Sequence, residues 1–245
     1  MYKRQYINSV SDLLSLAKNC AYDQWSVGKT VILQKDLSLE GMLWEPIPSF
    51  SGQFKGNGHT ISDLTITGQY SPAGLFGIVE EQGSIESLSV RGIVSVSDSA
   101  DTTTGGIVGI NHGTLINCQF TGVVTGDSEV GGIVGRNESE GTIDHSTARA
   151  IVTGKSSTGG IAGYNLGAIT GCTNVGSINT EYQEASLDTD GFTAKMVDQI
   201  NNKMAAADDD ATNSVTNVAT DTGGIAGRSS GMILTSVNTG TVGYE

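Results

Sequence analysis

The apolar positions of this chain fall into short blocks that recur. The phrase GGIVGINHGTLINCQF runs from Gly105 to Phe120 and returns as GGIVGRNESEGTIDHSTA from Gly131, GGIAGYNLGAITGCTN from Gly159 and GGIAGRSSGMILTSVN from Gly223. A weaker copy, AGLFGIVEEQGSIESLSV, begins at Ala73. The copies start at Ala73, Gly105, Gly131, Gly159 and Gly223, so the spacings are 32, 26, 28 and 64 residues. Self-similarity at such a period signals stacked units. The apolar residues are mostly β-branched, alternate with small or polar ones, and come in short runs broken by glycine. Such runs are too short and too glycine-rich for helical repeats. Three short strands joined by bends would form one turn of a coil whose strands pair in parallel with the turns above and below. A calcium-binding nonapeptide repeat would need an Asp shortly after its glycines, and none follows. The expected fold class is all-β, a right-handed parallel β-helix (solenoid) with an N-terminal capping helix and a helical insertion.

The segments outside the repeat complete that expectation. Val10, Leu13, Leu14 and Ala17 stand at helical spacing behind Ser9, with Asp12 in the place of the capping-box Glu, which predicts a short amphipathic helix over the open first turn. Lys29–Leu39 reads as the first strand. The stretch Trp44–Pro48 reads as a loop, because its two prolines cannot donate to a ladder. Gly52–Gly68 reads as the start of the second turn. The expected organisation is a cap over 1–28 and a coil of about seven turns over 29–245, interrupted by an insertion at 181–222. The connection before each double glycine varies in length while the rest of the unit holds steady. In the insertion, Phe192, Met196, Ile200 and Met204 are spaced as one face of a helix. It holds nine acidic residues against Lys195 and Lys203, a net charge of −7.

The repeated phrase resembles the GLUG motif, found in large bacterial surface proteins and in non-catalytic N-terminal regions of some immunoglobulin A metallopeptidases. The resemblance covers about Ala73 to Tyr244, apart from the insertion. It implies a β-helical surface module and brings no catalytic residue with it. One position of the unit is Leu88, Cys118, Ser146, Cys172 and Ser236 in successive copies, and a slot that accepts such different side chains is a packing position. Cys118 and Cys172 are therefore expected two turns apart in one ladder, reduced and buried. Gly106, Gly132, Gly160 and Gly224 are expected at equivalent bends that need positive φ or close backbone approach. Gly126, in a variable connection, is expected to be more tolerant.

Composition and charge narrow the function. The chain has 34 glycines, 3 prolines and a formal net charge of −13, which argues against nucleic acid and anionic membranes as partners. It contains no stretch apolar enough to span a bilayer. Its N-terminus lacks the apolar core of a secretory signal, which for a surface protein suggests a piece of a longer chain. The candidate chemistry is sparse. His59, His112 and His145 show no zinc spacing, and no metal or cofactor is assigned. Ile143–Ser146 (IDHS) is similar to a stretch of β-helical pectate lyases, but falls in register with Leu115–Cys118 of the preceding copy. Asp63, Glu86, Glu138 and Asp144 sit at unmatched positions, unlike the paired carboxylates of a glycosidase. Asp98 with Asp101, or Asp208–Asp210, lack the glycine turn of a defined calcium loop. The aromatic candidates for sugar stacking are Tyr70, Tyr164, Tyr182 and Tyr244. The expected function is a non-enzymatic, extracellular bacterial cell-surface module, an adhesin-like stalk that offers loops to a protein or glycan. Tyr182, Asp208, Asp209 and Asp210 are its candidate partner-binding residues. The alternatives are an accessory recognition domain of a surface metalloprotease and a β-helical polysaccharide-active enzyme.

Overall fold

The computed structural model describes residues 3–22, 24–96, 102–180 and 220–243. They form a parallel β-helix: four sheets run along the coil, and every strand pairing is parallel. One turn passes through them in a fixed order. Thr114–Ile116 lies in sheet A, Gln119–Thr125 in sheet B, Val130–Gly131 in sheet D and Val134–Asn137 in sheet C, after which Thr142–Asp144 returns to sheet A. Sheet C has six strands, so the coil has about six turns. The repeat spacings become registers directly, with Phe76 paired to Val108, Val108 to Val134, Val134 to Ala162 and Ala162 to Ala226. Sheet D was not foreseen, because its strands are only two to four residues long and overlap the double glycine.

The N-terminal turn differs from its expected outline in three ways. Strand β1 (Lys3–Ile7) already belongs to sheet A and pairs with β2 (Lys29–Leu33), so the coil begins before the helix. Leu37–Ser38 (β3) pairs in sheet B, so the segment expected as one strand turns a corner after Leu33. Ile47–Phe50 (β4) is a strand despite Pro48. It is the outermost strand of sheet C and pairs only with Phe76–Val79, and an edge is where a missing N–H is tolerated. Helix α1 (Val10–Asn19) packs on β1 and β4 and covers this end of the core. Ser9 Oγ accepts from Asp12 N at 3.2 Å, and Asp12 Oδ2 accepts from Asn8 N at 2.9 Å, so the cap forms with Asp as expected. Leu13 and Leu16 are buried and Leu14 is exposed, so the buried face is rotated from the expected one.

The core changes character along the coil. Phe50, Phe54 and Phe76 form an aromatic cluster near the N-terminal end, with centroids 5.4–6.4 Å apart. In the column that begins with Phe50, Val79 follows, and then Asn111, Asn137 and Asn165, all fully buried. Asn111 Nδ2 donates to Asn137 Oδ1, and Asn137 Nδ2 to Asn165 Oδ1, each at 2.8 Å. Each amide also donates to a backbone carbonyl nearby, Gly113, Gly141 or Gly167, so the buried polar groups are paired. A parallel stack suits this residue, because an amide can donate to an identical amide one strand away.

Glycine and positive φ have separate roles. The corner between sheets A and B is left-handed at Ser87, Asn117, His145, Gly171 and Thr235, and the entry to sheet D at Glu129, Ser157 and Asp221. Polar residues fill most of these corners. The repeat glycines instead sit where no side chain fits. A Cβ at Gly132 would overlap the Gly160 carbonyl oxygen and lie 3.0 Å from Ala148 Cβ. Of the two constraints expected at these bends, positive φ or close backbone approach, close approach is the one that operates. Gly126 is also enclosed, with Thr104 Oγ1 2.7 Å from where its Cβ would be, so it is not the tolerant position expected.

Two consequences can be measured by thermal unfolding. Gly132→Val should cost about 3 kcal/mol or more, whereas Gly41→Asn, at an open left-handed position with φ +76°, should change stability little. Equal melting temperatures for the two would rule out close approach as the constraint. Sheet D also holds an alternating column of Thr104, Val130 and Thr158, all fully buried, and neither threonine Oγ1 has a hydrogen-bond partner among the described residues. Valine has the same shape and already occupies the middle place. Thr158→Val should raise the stability by about 1 kcal/mol, and a lower melting temperature would show that the hydroxyl is satisfied.

Candidate functional site

The variable connections all enter at one corner, between sheets B and D. In the turn below the insertion, Val152 pairs with Ile178 and Ser156 with Thr220. Only Thr153, Gly154 and Lys155 lie between Val152 and Ser156, and Asn179 and Thr180 stand level with Thr153 and Gly154. Residues 181–219 thus take the place of Lys155 alone. The backbone on either side is unperturbed: Gly154 N donates to Asn179 Oδ1, and Asn179 Nδ2 to Thr222 Oγ1, both at 2.9 Å. Tyr182, Asp208, Asp209 and Asp210 lie outside the described residues, as do Asp98, Asp101, Phe192 and Tyr244.

The described part of this corner is a polar ledge. Asp127 N donates to Thr102 Oγ1 at 2.9 Å, and Lys155 Nζ pairs with Asp127 Oδ1 at 2.7 Å. Thr103 Oγ1 donates to Glu129 Oε2 at 3.1 Å. Arg136, on the outer face of sheet C, holds Glu129 and Glu138, each at 2.6 Å. Burial works against the Arg136 charge, but the two carboxylates outweigh it and hold its pKa above the ordinary arginine value. Tyr164 stands next in that column, its ring centre 5.0 Å from the Arg136 guanidinium and 5.6 Å from that of Arg228. Tyr164 was a candidate for sugar stacking, yet a guanidinium lies over its ring on each side along the column. Tyr70 is partly buried against the core.

The remaining candidates are dispersed. Glu86 and Asp144 share one face of sheet A with Ile116 between them, and each has its own partner, Lys55 Nζ at 3.9 Å and His145 Nδ1 at 2.8 Å. Asp63 accepts from Ser38 and Ser62, and His59 pairs with Asp36 at 3.1 Å. His145 is a left-handed corner residue level with Asn117, so the repeat accounts for the IDHS stretch. Among the described residues no three His, Cys, Asp or Glu side chains are grouped as a metal site. No helix among them is long and apolar enough to cross a membrane. The three cysteines are free and buried. Cys118 N donates to Ser146 Oγ and Ser146 N to Cys172 Sγ, so the two thiols stack with a serine between them, about 9.6 Å apart by strand spacing and beyond disulfide reach.

Comparisons with known proteins agree with this architecture. Residues 126–153 match the GLUG motif. Halomucin of Haloquadratum walsbyi is 31% identical over 155 residues, which cover 58% of this chain and 2% of halomucin. A Gly-rich membrane protein of Evansella cellulosilytica is 29% identical over 137 residues, covering 40% of this chain and 16% of that protein. The chain therefore spans a small fraction of the length of these relatives. Among solved structures, a Bacteroides ovatus protein described as an immunoglobulin A1 protease shares the fold with a TM-score of 0.51 at 23% identity, over 61% of this chain and 52% of the other.

The stacked thiols make stability depend on pH. Burial pushes the Cys118 thiol up to about 12 and the Cys172 thiol up to about 11, above the ordinary thiol value of 9.0. Because the folded values are raised, the contribution is complete below pH 9 and is lost as pH climbs through 11 to 12, where the unfolded chain has already released these protons. Near pH 11 the loss is about 2 kcal/mol per thiol. A double variant, Cys118→Ser with Cys172→Ser, keeps the residue type already present at Ser146 and Ser236. Its melting temperature should fall less than the wild type's between pH 8 and 11. Parallel curves would place both thiols in contact with water.

Proposed function

We propose that this GLUG-bearing chain is a non-enzymatic β-helical module of a larger bacterial cell-surface protein, a rigid extracellular stalk that presents its variable connections to a protein or glycan. The observation that carries the reading is the substitution of residues 181–219 for the single residue Lys155, while the ladders on both sides keep register. A scaffold that holds still while one corner varies is suited to recognition. The names of the relatives, a mucin and a membrane protein, are compatible with a surface location. In this reading residues 1–28, with β1 as the first strand of the coil, close its N-terminal end, and 29–245 continue it. Tyr182 and Asp208–Asp210 contribute to the contact, and the negative charge of the insertion selects a basic partner. A second reading, an accessory recognition domain of a surface metalloprotease, draws on the Bacteroides ovatus neighbour, whose likeness concerns the fold. An H-E-x-x-H stretch elsewhere in the full-length protein would favour it.

Replacing residues 181–219 by one Gly should leave the circular dichroism of the β-sheet nearly intact, since the turn below bridges the same gap with Lys155. Binding to extracellular-matrix preparations, measured by biolayer interferometry at low and high salt, should fall in the deletion variant. Binding that remains should lose its salt dependence. Unchanged binding at low salt would move the contact to another face.

A further inference from the structure

At the N-terminal mouth of the coil one column breaks its own pattern. The position that precedes each sheet A strand is glycine in every later turn: Gly52, Gly83, Gly113, Gly141, Gly167 and Gly231 follow one another in register. These places are closed to side chains by backbone, as at Gly52, where a Cβ would lie 2.7 Å from Ser26 O and 2.9 Å from Lys29 O. On β1 and β2 the same column holds Lys3 and Lys29, paired directly across the strands. Alternation with Ile7, Val31 and Leu33, all buried, puts both lysines on the core-facing side of the sheet. Like charges on neighbouring strands, about 4.8 Å apart, repel one another. Two lysines thus stand side by side where every later turn has no side chain, and an anion between them would relieve their repulsion.

The surroundings give that anion a place. Lys3, Gln24, Trp25, Val27, Gly28 and Lys29 line a depression of about 370 Å³. The Lys29 ammonium donates to the Trp25 carbonyl and lies 3.6 Å from the centre of the indole ring, which fixes its position and leaves two of its three donors. Burial, followed by the nearby Lys3 charge, holds the Lys29 pKa below the ordinary lysine value. Nothing lies within 4 Å of where a Gly28 Cβ would be, so the depression is open on that side. The charge is local. Residues 1–55 carry six Lys and Arg against five Asp and Glu, a net of +1, and residues 56–245 carry seven against 21, a net of −14, which together give −13.

We propose that this depression binds an acidic sugar, with the carboxylate held between Lys3 and Lys29 and the ring set against Trp25 and Val27. A carboxylate shared by two ammonium groups gains charge-assisted hydrogen bonds and removes their mutual repulsion. The depression is open to solvent and has room for more than a lone inorganic anion. The apolar wall gives a sugar ring something that acetate cannot use.

Trp25 serves as the reporter. The only other tryptophan, Trp44, is buried with its Nε1 donating to Leu75 O at 3.1 Å, far from solvent-side changes. Tryptophan fluorescence of the full chain, titrated with sodium D-glucuronate, should change saturably. Glucose should give no change, and sodium acetate should bind at least about tenfold more weakly. Lys3→Gln, at an exposed position, and Lys29→Gln should each weaken glucuronate about tenfold or more. Circular dichroism checks the fold of each variant, and Lys3→Gln decides the matter if Lys29→Gln unfolds. No saturable change with glucuronate, or an affinity indifferent to Lys3→Gln, overturns the proposal. Acetate, sulfate or an acidic peptide binding as tightly as glucuronate overturns its assignment to a sugar.

Discussion

Everything in this molecule depends on strict parallel stacking, in which each residue has as its neighbours its own counterparts one turn above and below. A globular core can match large against small from any direction. Here each column must be built from groups that tolerate their own kind at about 4.8 Å. Branched aliphatics do so by packing, as along Leu115, Ile143 and Ile169. Asparagine does so by hydrogen bonding, as along Asn111, Asn137 and Asn165. Glycine does so by having nothing to place. Charged residues do so only with help, which is why Arg136 lies between two carboxylates and beside Tyr164.

The same constraint explains the change in the core from aromatic to amide. Near the N-terminal end, Phe50, Phe54, Phe76 and Trp44 fill a cross-section closed on one side by α1. Where the double-glycine phrase takes over, sheets C and D approach each other through glycines, and the interior no longer has room for rings in each turn. The column Ile61, Val90, Phe120, Ala148, Asn174 shows the transition in one line. Phe120 loses about 1.5–3 kcal/mol of hydrophobic burial when replaced by a residue such as Ala148, and paired amides return about 1 kcal/mol each. The repeat therefore relies on many modest, identical bonds in place of a few large side chains.

Much of this was legible in the sequence, because in a parallel coil a spacing between copies is a register. The intervals from Ala73 to Gly223 placed four turns correctly, and Ser146 between Cys118 and Cys172 placed the thiol ladder. Where the reading fell short, the cause is physical. Lys3–Ile7 has only five residues and no copy elsewhere, so periodicity could not mark it as a strand. Pro48 argues against a strand only if both neighbours are present, and being outermost is a tertiary fact. The repeat glycines were open to two readings, left-handed bends or close approach; Asn117, His145 and Glu129 make the left-handed bends, and the glycines mark close approach. Lys3 and Lys29 could be recognised as a pair only once Gly52 was known to follow them in the same column.

That last point separates two kinds of position in a stacked coil. A column is costly to alter in one turn alone, because a misfit there breaks contacts with two neighbours, so a departure from the column's residue type is tolerated mainly at an end or at a connection. The connection between sheets B and D is such a place. The entropy of closing a loop rises only slowly with its length, roughly as its logarithm, so a long segment costs little more than a short one once the ladders on both sides have formed. Lys155 and residues 181–219 therefore connect ladders that keep the same register. The N-terminal mouth is the other place, since β1 has a neighbour on one side only. Lys3 stands there beside Lys29 alone, and these two places are where the column rule is relaxed.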